Sequence, residues 1–178
     1  MHLRAVFAAR FESGILIALF ALVILVSFTP VCAHGSARDD PYLVAAREAG
    51  VPLELLVAIA GAESGYHPYA LNVDGRQVYC RSLDEAKKIL AAEDNVDIGL
   101  MQINWPYWGS RLKVTKAALL DPRTNLHFGA LILKQALARK GTIWRRISNY
   151  HSGAVPRRDT YNQRVYAAYL RYLRGEIQ

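Results

Sequence analysis

Glu63 stands near the end of a run that is otherwise almost wholly apolar, Pro52-Leu-Glu-Leu-Leu-Val-Ala-Ile-Ala-Gly-Ala-Glu63. At a 3.6-residue period Leu56, Ile59, Ala60 and Glu63 share one helical face. A carboxyl on a buried stripe is expected to resist ionisation, because desolvation disfavours its charged form. A group that keeps its proton near neutral pH can serve as a general acid. The competing reading of Glu63 is a frayed helix end capped by water. Taken alone, periodicity leaves both standing.

Two further segments carry polar chemistry. In Gly99-Leu-Met-Gln-Ile-Asn104, Gly99 allows close backbone approach or an unusual dihedral. Leu100, Met101 and Ile103 suit a core, while Gln102 and Asn104 offer amides that donate and accept, as sugar hydroxyl and N-acetyl groups require. The same amides could equally satisfy local backbone groups. Trp105, Tyr107 and Trp108 follow at once, and aromatic faces stack on pyranose rings or pack in a core. The third segment is Asn149-Tyr-His-Ser-Gly153, with Tyr161 beyond it. Tyr150 and His151 could orient a substrate or steady the carboxyl.

Other chemistries find little support. His67, His127 and His151 are scattered and lack the paired spacing of a zinc helix, so no metal is expected. Ser64 adjoins the glutamate without the strand-turn-helix context of a nucleophilic serine. Cys80 and His151 lack a cysteine-protease pattern.

The elements that must position these residues read as mainly helical. Helices are predicted for Tyr42–Ala49, Pro52–Glu63, Ser82 to about Glu93, Lys116–Leu120, Asn125–Arg139, Thr142–Asn149 and Thr160 to about Arg174. Ser82 and Glu85 have capping-box spacing. Asn72-Val-Asp-Gly75 reads as a turn, with at most a small β-hairpin around it. With no repeat and no βα alternation, Rossmann-like and barrel architectures are excluded.

The ends and the charge set the setting. Arg4 and Arg10 precede an apolar run from Ile15 to Phe28, and Val31-Cys-Ala33 follows Pro30. This pattern predicts a secretory signal over residues 1–33, cleaved after Ala33, and export to the periplasm. The 14 residues of that run fall short of the roughly 20 that span a bilayer, so membrane contact is expected only if the signal is uncleaved. Residues 34–178 form the expected domain, with 20 Lys and Arg against 14 Asp and Glu, a net +6. Such a balance favours an anionic polymer. A cell wall, an anionic membrane surface or nucleic acid would answer it, and export argues against nucleic acid. Only Cys80 survives processing, so it is expected to be a free buried thiol or to pair with a partner.

Glu63-Ser64, Gly99-Leu-Met-Gln-Ile-Asn104 and Tyr150-His-Ser-Gly153, in that order, resemble the lysozyme-like soluble lytic transglycosylases. The resemblance covers about Tyr42 to Arg171. It implies an α+β lysozyme-like fold, peptidoglycan glycan strands as substrate and no cofactor. The small size and the Asn72–Cys80 insert are more similar to members that serve secretion, conjugation and pilus systems. By this resemblance Glu63 is the single catalytic acid. Ser64, Gly99, Leu100, Met101, Gln102 and Asn104 lie with Tyr150, His151 and Tyr161 around the bound glycan. At His151 the chain departs from the family, where asparagine is usual.

The reaction so implied cleaves the β-1,4 bond between N-acetylmuramic acid and N-acetylglucosamine and leaves a 1,6-anhydro end. Ordinary lysozyme hydrolysis is the near alternative, with Asp74, Asp94 or Asp97 as second carboxylate. A wall-binding assembly module without activity is the other.

Overall fold

The computed structural model describes residues 40–151 and 155–177, with the side chains of 151 and 155–158 outside it. The predicted signal segment, residues 1–33, lies outside the described residues.

Helix α1 (Pro41–Ala49) starts on Asp40, whose carboxylate accepts the Tyr42 N–H at 3.0 Å, and stops at left-handed Gly50. Helix α2 (Leu53–Ser64) is buried around most of its circumference, from Leu55 to Ala60 and again at Ala62 and Ser64. An all-round apolar helix belongs at the centre of a fold. Helix α7 (Val155–Leu173) packs most extensively along it, and Arg164 of α7 donates to the Ala62 carbonyl.

The predicted turn is a hairpin of β1 (Ala70–Val73) and β2 (Arg76–Tyr79). Asp74 and Gly75 both take positive φ, which matches the right-handed twist of a two-residue hairpin. The sheet grows past this hairpin. β3 (Val96–Ile98) and β4 (Ile103–Asn104) add to it in the order β2-β1-β3-β4, every pair antiparallel. These strands are three and two residues long, too short for an alternation to be seen in sequence.

Between β2 and β3 lies α3 (Leu83–Ala92). The Ser82 hydroxyl accepts the Glu85 N–H at 3.2 Å, and the Glu85 carboxylate takes the N–H of Arg81 rather than that of Ser82. The aromatic run after β4 opens a helix that the sequence reading left unassigned, α4 (Trp105–Leu112), capped by Asn104. A 3-10 turn (Ala117–Leu120) leads into α5 (Pro122–Leu137), capped by Asp121. Thr124 donates its N–H and its hydroxyl to that carboxylate, holding Asp121 below the usual carboxylate range. Helix α6 (Ile143–His151) precedes α7, which begins five residues earlier than predicted.

Leu56, Ile59, Leu71, Ile98, Met101, Ile103, Leu126, Leu133 and Ile147 form one core that joins α2, the sheet, α5 and α6. Cys80 is free and fully buried, and burial pushes its thiol pKa up.

Candidate active site

The connection from β3 to β4 is a tight turn built from Gly99, Leu100, Met101 and Gln102. Gly99 has φ +77° and Gln102 φ +44°, both left-handed. The Gly99 N–H reaches the Ala70 carbonyl at 2.8 Å, and the Gln102 N–H reaches the Gly99 carbonyl at 3.1 Å. Leu100 and Met101 turn inward and are buried. A Cβ on Gly99 would lie 2.3 Å from Nδ2 of Asn125, so only glycine fits there.

Asn125 is the brace of this turn. Fully buried on α5, it accepts the Met101 N–H at 2.8 Å and donates to the carbonyls of Ile98 at 2.9 Å and Leu119 at 2.8 Å. Tyr150 adds a fourth tie, its hydroxyl donating to the Met101 carbonyl at 2.8 Å. Helices α5 and α6 thus fix one short turn of the sheet through polar groups shielded from water, where an unpaired group is costly.

This turn borders a cleft of about 470 Å³, within the roughly 300–1,000 Å³ of small-molecule sites. Glu63, Asp97, Gln102, Asn104, Asn149 and Tyr150 supply polar groups to it, with Tyr107 and Trp108 as aromatic surface. The rings of Tyr107 and Trp108 meet edge-to-face at 4.9 Å. Ile132, Gln135, Ala136 and Arg139 follow at the 0, 3, 4, 7 spacing of one helical face along and just beyond α5.

Glu63 is half-buried in the last turn of α2. The helix end itself is closed by Gly65, whose N–H bonds the Gly61 carbonyl, so the carboxylate is not needed as a cap. The phenol of Tyr161, a residue of α7 that is 2% exposed, adjoins it. The Tyr150 and Tyr161 phenols are both pushed well above their ordinary value, first by burial and next by the negative charge of Glu63. Asp97 adds to the effect at Tyr150. Both phenols therefore stay neutral near the carboxylate, and Tyr150 donates its hydrogen bond to the Met101 carbonyl.

A pH prediction follows. These phenols hold their protons more tightly folded than unfolded, so the unfolded chain releases them first as pH rises. Their contribution is intact below about pH 10, the unfolded value, and is lost as pH climbs through the raised folded values. In ultraviolet titration of the native protein, Tyr150→Phe and Tyr161→Phe leave the phenolate step near pH ~10 unchanged. A smaller step in either variant contradicts the burial argument.

The sequence-predicted residues divide into two groups. Glu63, Gln102, Asn104 and Tyr150 line the cleft together. Ser64, Gly99, Leu100, Met101 and Tyr161 are not among its lining and are buried behind it. The Ser64 hydroxyl donates back to the Ala60 carbonyl at 3.1 Å. The side chain of His151 lies outside the described residues. The two amides are also partly committed. Gln102 spends its NH₂ on the Ala70 and Gly99 carbonyls at 3.0 and 2.9 Å, leaving Oε1 as the atom it can offer. Asn104 donates to Asp97 at 2.7 Å and accepts the Tyr107 N–H at 3.0 Å, stapling β3 to β4 and capping α4.

A family model described as the Transglycosylase SLT domain matches residues 40–171, the stretch that holds the cleft and both of its tyrosines. The chain belongs to that family. Protein IpgF of Shigella sonnei is 26% identical over 156 residues, which are 83% of this chain and 88% of that one. Type IV secretion system protein virB1 of Brucella abortus is 34% identical over 110 residues, 56% of this chain and 44% of that one. The match thus spans less than half of virB1. No solved structure matches.

Within this SLT domain, sequence reasoning missed Asn125. Asn125 carried a signal in hindsight. It falls on the α5 stripe of Gly129, Ile132 and Ala136, and a polar residue on a buried stripe must be hydrogen-bonded. The Arg139-Lys140 pair reads in sequence either as a contact for anionic glycan or as solvated surface, and Arg139 lines the cleft. Asp74 and Asp94 stand elsewhere, Asp74 held by Asn95 at the hairpin and Asp94 paired with Lys116 at 2.8 Å. Of the three acids considered as second carboxylates, Asp97 is the one that lines the cleft.

Proposed function

We propose that this SLT-family protein is a lytic transglycosylase that cuts the β-1,4 bond between N-acetylmuramic acid and N-acetylglucosamine in peptidoglycan. The observation that carries the reading is the shared cleft of Glu63, Gln102 and Tyr150, bordered by Tyr107 and Trp108. Protonated Glu63 gives its proton to the glycosidic oxygen as the bond to the muramyl C1 breaks. The sugar's own N-acetyl group stabilises the charge at C1, so no protein nucleophile is required. The Glu63 carboxylate then removes the proton from the C6 hydroxyl, and O6 bonds to C1. One bond breaks, one forms, the proton returns to Glu63, and no water is consumed. Intramolecular attack prevails because the hydroxyl is already in place.

Tyr161 adjoins the Glu63 carboxyl, and the aromatic pair offers faces for sugar rings. Digestion of purified sacculi tests the reading. Soluble muropeptides with anhydro ends are expected, and an undigested wall would leave only a binding module.

Asp97 lends weight to a second reading, hydrolysis by two carboxylates, since it shares the cleft with Glu63. Yet its Oδ1 accepts from Asn104 across the β3–β4 pair, which gives it a structural task. Asp97→Asn keeps that acceptor. The single-acid route therefore expects activity within a few-fold of wild type and unchanged anhydro products. A loss of roughly a hundredfold or more would shift the assignment to a two-carboxylate muramidase.

The name of the virB1 relative and the predicted signal support a further part of the reading. The enzyme acts in the periplasm, where it opens the wall locally for an envelope-spanning secretion, conjugation or pilus machine.

A further inference from the structure

Among the described residues, Arg139 is the cation that lines the cleft, which Glu63 and Asp97 also line. It lies just past the end of α5, one helical turn beyond Gln135, which faces the same space. An arginine at a helix C-terminus often serves the last carbonyls and the helix dipole. Here that task falls to Arg146, whose guanidinium donates to the Leu137 carbonyl at 2.9 Å. The side chain of Arg139 is exposed and has no carboxylate partner among the described residues.

An anionic group entering a cleft is favoured where a cation answers its charge. The guanidinium is suited to that, since its planar fork matches a carboxylate in two-point geometry. The glycan of the proposed reaction bears carboxylates only on the lactyl substituent of its muramyl rings. They are the lactyl group's own in peptide-free strands, and those of the stem peptide in substituted strands.

We propose that Arg139 determines specificity by binding a carboxylate on the muramyl lactyl substituent of the glycan in the cleft. This rests on the transglycosylase reading above. It makes the enzyme select muramyl-containing strands over neutral N-acetylglucosamine polymers that present the same rings.

Tryptophan fluorescence can test this, because Trp108 lies in the cleft. A Glu63→Gln background keeps the ligand uncut. Into it are placed Arg139, Arg139→Gln or Arg139→Lys, and each protein is titrated with three soluble oligomers. These are neutral N-acetylglucosamine, peptide-free muramyl glycan and peptide-bearing muramyl glycan. Arg139→Gln is expected to weaken binding of a carboxylate-bearing oligomer roughly tenfold, the scale of a charge-assisted hydrogen bond. Affinity for the neutral oligomer stays within twofold, and Arg139→Lys recovers part of the loss.

A loss confined to peptide-free glycan assigns the lactyl carboxylate, and a loss confined to the peptide-bearing form assigns the stem. Equal affinities for all three ligands, or an equal loss that includes the neutral oligomer, overturn the inference. Because binding is read without turnover, sacculi digestion by the otherwise wild-type enzyme separately decides the transglycosylase reading. If none of the oligomers binds, the cleft is no glycan site and the inference falls with it.

Discussion

Replacing Glu63 with glutamine abolishes glycan cleavage and leaves the fold and glycan binding in place. The amide has the shape of the carboxyl, so the local geometry survives. It cannot deliver a proton to a leaving oxygen or collect one from the C6 hydroxyl. General acid–base catalysis contributes typically ~10²–10⁴-fold, and here one group performs both transfers, so the upper end is expected. Release of soluble muropeptides measures the loss, and circular dichroism with glycan titration checks the fold and the site. Cleavage within tenfold of wild type removes Glu63 from the mechanism.

The second large effect lies outside the cleft. Asn125→Leu keeps the branched outline of the original and unmakes three buried hydrogen bonds, to the Met101 N–H and the carbonyls of Ile98 and Leu119. Each buried unpaired group costs about 1–3 kcal/mol, so the loss of three is expected to cost about 3–9 kcal/mol. Against the ~5–15 kcal/mol that stabilises a typical domain, this is a large fraction. Thermal unfolding should move down by about 10–30 °C. Activity falls too, since the turn presenting Gln102 loses its brace. A melting temperature within a few degrees of wild type would show that the β3–β4 turn is held by something other than Asn125.

The local features were those readable in sequence. Caps at Ser82 and Gly65, the Asp74-Gly75 hairpin and the apolar α2 rest on contacts within a few residues, where residue type and spacing carry the information. Glu63 and Gln102 were legible for the same reason, one as an acid on an apolar stripe and the other inside a glycine-led turn. What escaped depends on partners far apart in the chain. Strands β3 and β4 are defined by pairing with β1 and with each other rather than by alternation. Asn125 bonds residues up to 27 positions away. Helix α4 was hidden because its aromatic opening fitted a sugar platform as well as a helix. Gly99, Met101 and Ser64, grouped with the glycan contacts by resemblance, hold the turn and the helix from behind.

Digestion of purified peptidoglycan in ¹⁸O-labelled water addresses the single-acid mechanism most directly. Mass analysis of the muropeptides should find 1,6-anhydromuramic ends without label, because the new bond at C1 comes from the sugar's own O6. Reducing muramic ends that carry one ¹⁸O would mean that water attacks C1, and the transglycosylase account would be wrong.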